Sequence, residues 1–179
     1  SAWRNAAHYA TLNWGPTSWM GCVEDREATQ RDVTDDPPSV ESFKTYFWAD
    51  NNNYNDWIRS NGTYNTPLST SRGPNKYCSQ AVLPMASSKA GVKASINSMQ
   101  ATGNTHVNLG AVWGWRMLSP RWRGLWGGEM NTHNLPLDYN TDKMHKAVII
   151  MTDGDNTMSS SVRTAYGYLS DGRLGSTNA

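Results

Sequence analysis

Two short segments hold the side chains best suited to chemistry: GNTHV at 103–107 offers the Thr105 hydroxyl, and TDGDNT at 152–157 offers the Asp153 carboxylate. A hydroxyl and a carboxylate on neighbouring loops are hard oxygen ligands, suited to Mg²⁺, or to Mn²⁺ or Ca²⁺, rather than to zinc. Asp-Gly is also a favoured turn pair, so a plain turn is the competing reading at 153–154. Asp155 and His106, which flank these positions, and Trp122 and Trp126 in a later Trp-rich stretch are further candidates for ligand contact. Asp155, Thr157 and Ser159 spell D-x-T-x-S, but they continue the TDG loop and cannot also form the loop of a separate strand. An EF-hand beginning at Asp153 fails at Met158, where that loop requires glycine. His8, His106, His133 and His145 lack metal-helix spacing and read as loop or surface histidines. There is no nucleophile elbow and no phosphate loop. Glu24, Asp25 and Arg26 read as a solvated or salt-bridged strand end, because neighbours on a strand face opposite ways. With no general base and no second metal cluster, the pattern points to binding and not to an enzyme.

The elements that must place these residues follow from periodicity. Ala147–Met151 is apolar on both faces, as expected of a central parallel strand buried between helices. Asp153 then falls outside the carboxyl end of that strand, where ligands gather in open α/β sheets. Val92, Ile96 and Met99 recur at helical spacing behind a Ser87 or Ser88 cap, which predicts a helix over about 88–101 stopped by Gly103. A second helix begins near 107, carries Leu109, Val112, Trp113, Arg116 and Met117, and ends before Pro120. Gly110 and Gly114 share one of its faces and permit close approach of a neighbouring backbone. Ser18–Asp25 alternates as a strand. Residues 27–84 and 120–142 are polar or turn-rich and read as two insertions in a single domain spanning 1–179. Trp113, Trp115, Trp122 and Trp126, with Arg116, Arg121 and Arg123, pack the second insertion against a helix or form a sugar-stacking or protein-contact surface.

Composition bounds the partners. Sixteen basic and fifteen acidic residues give a net charge of +1, which leaves no electrostatic footprint for nucleic acid or an anionic membrane. The longest aliphatic run is far below the roughly 20 residues of a membrane span, and the first ten residues lack the apolar middle of a signal peptide. Any anchor or export signal is therefore expected outside this chain. Cys22 and Cys78 lack zinc or thioredoxin spacing; a disulfide in an oxidising compartment is expected, with two buried thiols as the alternative.

The segments WMGCVEDR (19–26), GNTHVNLGAVWGWRMLSPRWRGLW (103–126), AVIIMTDGDNTM (147–158) and AYGYLSDGRLG (165–175) together resemble TadE/TadG-like pilus assembly proteins of the bacterial Tad (Flp) system. The resemblance implies a von Willebrand factor A-like domain, a doubly wound, Rossmann-like α/β sheet with a metal-ion-dependent adhesion site. It places a metal-coordinating threonine at Thr105 and an aspartate at Asp153. It further implies a periplasmic or cell-surface location and a protein ligand or pilus component as partner. A carbohydrate-binding module built on the Trp-rich insertion is the alternative function. The family's site also draws an Asp and two Ser from a DxSxS loop after a first strand. No such loop precedes Trp19, so the sheet is expected to be truncated and the cation site incomplete.

Overall fold

The computed structural model describes residues 21–26, 33–48, 54–57, 59–63 and 69–175. His8 and the Ser18–Met20 part of the expected first strand lie outside the described residues. The remainder of that strand makes one antiparallel bridge, Val23 to Thr45. Around it, Glu24 N–H donates to the Lys44 carbonyl at 2.8 Å, Tyr46 N–H to Cys22 at 3.1 Å and Asp25 N–H to Ala165 at 2.8 Å. Three segments distant in sequence are thus held by backbone bonds without a continuous ladder.

The core sits where composition pointed away from it. Among the described residues, six of the twelve buried hydrophobic ones, Phe43, Tyr46, Phe47, Trp48, Trp57 and Cys78, belong to the polar stretch 27–84. That stretch is consequently a source of core and not a decoration. Tyr46, Trp48 and Val162 form one cluster, with Cys22, Tyr77 and Tyr168 against it. Cys22 and Cys78 are joined as a disulfide, with Cα atoms 5.7 Å apart.

Helix α1 spans Lys89–Asn97. Ser88 caps it by accepting the Gly91 N–H at 3.1 Å. It stops earlier than Gly103 because the Ser98 hydroxyl turns back onto the Ser95 carbonyl at 2.8 Å, offering the backbone an alternative to another turn. None of its residues is buried. Helix α2 spans Val107–Leu118, and Pro120 begins the short 3₁₀ turn Pro120–Trp122 that follows it. Helix α3, Gly128–Thr132, lies in the second insertion.

Two arginines, Arg116 on α2 and Arg26, are held against aromatic rings. Arg116 is fully buried, its guanidinium 5.1 Å from the Phe43 and Trp113 centroids, and Arg26 stands 4.4 Å from Phe43. The two insertions meet at Asp35. Its carboxylate accepts from Ser119 and from Arg121 at 2.8 Å, while its carbonyl accepts the Trp122 indole N–H at 2.7 Å. Glu24, Asp25 and Arg26 are all buried. Glu24 pairs with Arg163, Nε to Oε1 at 3.0 Å, and approaches Arg173 at 3.7 Å. The salt-bridged reading of this strand end therefore holds, and the solvated one does not.

The run 147–151 departs most from expectation. It carries no strand pairing among the described residues and is exposed, with Ile149 at 88% and Met151 at 90%. Apolarity on both faces reports what surroundings a segment favours, not which neighbours supply them. The Val148 side chain lies over Gly114 of α2, where an added β-carbon would meet Val148 Cγ1 at 3.5 Å, an ordinary contact, so the approach does not require glycine there. No such neighbour stands at Gly110 among the described residues.

Candidate functional site

The site begins at the first turn of α2, whose N–H groups have no partners within the helix. His106, the residue before it, supplies no side-chain cap. The acceptor comes instead from 49 residues further on: Val107 N–H donates to Asn156 Oδ1 at 2.8 Å. Next to it, Thr105 N–H donates to Thr157 Oγ1 at 3.1 Å, and Thr157 N–H returns to the Thr105 carbonyl at 3.0 Å. These three bonds fasten the loop carrying Thr105 to the loop carrying Asp153.

The other end of the returning segment is tied as well. Lys146 Nζ donates to the Leu118 carbonyl at 2.7 Å, placing a cation at the negative end of the α2 dipole. The chain from 146 to 157 therefore passes from the carboxyl end of α2 back to its amino end. Within it, Thr152 Oγ1 donates to the Gly154 carbonyl at 2.9 Å and accepts the Gly154 N–H at 3.3 Å, forming a local turn around Asp153. Thr105, Asp153 and Asp155 are all exposed. Among the described residues, no three His, Cys, Asp or Glu side chains group closely enough to hold a metal by themselves. A hard cation such as Mg²⁺ does not need that many, since it commonly keeps several waters and takes one or two carboxylates. The bonds at this junction use the Thr105 backbone and the side chains of Asn156 and Thr157, and bring the loop carrying the Thr105 hydroxyl to the loop carrying Asp153.

His106 is half-buried, and its ring meets Tyr166 edge-on at 5.1 Å between centroids. Burial pushes its pKa below the ordinary 6.5, so the neutral imidazole is the folded form near neutrality. As pH falls the unfolded chain binds this proton first, so the contribution to stability is fully present above the unfolded value and is lost as pH falls from there through the lower folded one. Tyr166 is itself buried, and its hydroxyl accepts from Asn108 Nδ2 at 2.7 Å. The 165–175 segment thereby supports the first turn of α2. His133 and His145 are exposed.

Trp122 is a core residue. It is 4% exposed and packs against Phe43, Trp113 and Trp126, stacking on Trp126 at 5.4 Å. It has no free face for a sugar. Trp126 is half-buried beside it. Asn156 was not legible as a functional residue, because its role depends on a helix end far away in sequence. Asn156→Ala should leave Val107 N–H without its acceptor and cost about 1 kcal/mol. Urea denaturation of the two proteins, with unchanged slope and a lowered midpoint, is the check.

Comparison of the chain with protein-family models, curated proteins and solved structures finds no match.

Proposed function

We propose that this chain is a non-enzymatic, exported binding domain of a bacterial pilus assembly system. It holds a protein ligand, a pilus or assembly component, through a divalent cation at Thr105 and Asp153. The observation that carries the reading is the triple hydrogen-bonded junction between 105–107 and 156–157. It joins two loops that the motif resemblance singles out independently.

The path of 146–157 supports an α/β reading of the same region. A helix followed by a chain segment returning beside it, with the segment's carboxyl end at the helix amino end, is the arrangement within a βαβ unit. In this reading Ala147–Met151, exposed and unpaired among the described residues, takes the place of a strand in a truncated von Willebrand factor A-like sheet. The Cys22–Cys78 disulfide suits a periplasmic or cell-surface location.

Bound Mg²⁺ would act as a Lewis acid, attracting a carboxylate of the ligand. The Thr105 hydroxyl and Asp153 carboxylate would hold it, and the joined backbone of the two loops would fix their separation. Calorimetric titration with MgCl₂ should reveal binding in the roughly millimolar range typical of weak extracellular cation sites. Asp153→Ala should weaken it about tenfold or more. Equal affinity in both proteins, or no binding in either, would sink the cation role.

A further inference from the structure

The run Ala147–Met151 is covered on one side only. Exposure along it alternates, with Val148 at 47%, Ile149 at 88%, Ile150 at 57% and Met151 at 90%. A period of two belongs to an extended chain, whose successive side chains take opposite faces. The even-numbered face turns to α2, where Val148 lies over Gly114 and Lys146 Nζ reaches the Leu118 carbonyl at 2.7 Å. The odd-numbered face, with Ala147, Ile149 and Met151, is open to solvent. Among the described residues no backbone hydrogen bond forms to or from 147–151. An extended apolar segment with unpaired N–H and C=O groups is a template for a further strand, and neither a charge nor a proline within 147–151 blunts it.

The charges at its ends select the strand. Lys143, His145 and Lys146 precede the run, Asp153 and Asp155 follow it, and Ile149 stands midway. A parallel copy in register would set cation on cation and carboxylate on carboxylate, and like charges directly opposite are destabilising. An antiparallel copy related by a two-fold axis at Ile149 reverses this. It sets Ile149 against Ile149, Ala147 against Met151 and His145 against Asp153, and brings Lys143 towards Asp155. Lys146, already engaged at α2, meets only the neutral Thr152. Lys143, His145, Asp153 and Asp155 are all exposed and have no ion-pair partner among the described residues. The pattern is complementary to itself, which is what an isologous interface requires.

We infer that 147–151 is a self-association edge. Two copies of this chain pair antiparallel along it about a two-fold axis at Ile149, with the basic end of each run on the acidic end of the other. The pairing does not rest on the cation reading. Because it engages Asp153, EDTA is present throughout its test, so that a divalent cation neither bridges two copies nor competes with the pairing.

Sedimentation velocity of the whole chain at low salt, over a concentration series, should show a monomer–dimer equilibrium with a dissociation constant of roughly 1–100 µM, as suits a small interface. Ile149→Lys, at a position 88% exposed, should weaken it about tenfold or more and leave the melting temperature unchanged. Asp153→Lys with Asp155→Lys makes both ends of the run basic, and Lys143→Asp with His145→Asp makes both ends acidic in balance. Each double variant alone should stay monomeric where the parent dimerises, and their equimolar mixture should dimerise again. A parent that stays monomeric throughout the series overturns the inference. So does a dimer that Ile149→Lys leaves intact, since its interface would lie elsewhere, and so does a mixture that stays monomeric.

Discussion

Trp122→Ala should destabilise the chain by about 3–5 kcal/mol, the range for truncating a large buried aromatic side chain. Trp122 touches Phe43, Trp113 and Trp126, and its indole N–H donates to the Asp35 carbonyl at 2.7 Å. Truncation removes that packing, orphans the carbonyl and opens the aromatic enclosure of Arg116, whose guanidinium lies 6.0 Å from the Trp122 ring. The last effect is the gravest, because a buried cation depends on its immediate surroundings for everything water would supply. Trp122→Phe separates the contributions: most packing survives and the hydrogen bond does not, so a loss of about 1 kcal/mol is expected. Chemical denaturation with far-ultraviolet circular dichroism measures both. A near-neutral Trp122→Ala variant would mean that this ring serves an exposed surface and not the core.

That result bears on what the sequence could disclose. Helices α1 and α2 were legible because their causes are local: a serine cap, apolar spacing of three and four, and a proline beyond the last turn. The meeting of the two candidate loops was legible in outline through the motifs. Its chemistry was not, since Asn156 and Thr157 act on backbone groups about fifty residues away. The same limit explains why the buried residues within 27–84 were not legible. Phe43, Trp48 and Trp57 are scattered through a polar stretch with no sustained period, and their burial is created by partners such as Trp113, Trp122 and Tyr77. Periodicity detects a face that an element presents to the core. It cannot detect single anchors in irregular chain. The run 147–151 is the converse case: its pattern is strong, yet its exposure depends on what pairs with it, and no pairing partner occurs among the described residues.

Irregular chain carrying isolated anchors makes covalent closure matter more than it would in a regular sheet. Replacing both cysteines, Cys22→Ser with Cys78→Ser, should cost about 4 kcal/mol in the chain-entropy model, given the 56-residue separation that the bond closes. A domain of this size commonly has only about 5–15 kcal/mol in total. The loss should be felt beyond the global transition. Cys78 is buried at 2% exposure, Cys22 packs on the Tyr46–Trp48–Val162 cluster, and both bound a cleft behind the Thr105 loop. Opening the bond therefore frees one wall of that cleft while the 105–107 and 156–157 junction, which uses neither cysteine, stays fastened. Hydrogen exchange on the double variant should accordingly show faster exchange at Tyr46, whose N–H bonds the Cys22 carbonyl, with protection retained at Val107. Uniform loss at both amides would indicate one cooperative unit. Selective loss at Tyr46 would place the Thr105 and Asp153 loops and the disulfide-closed core in separable regions of stability.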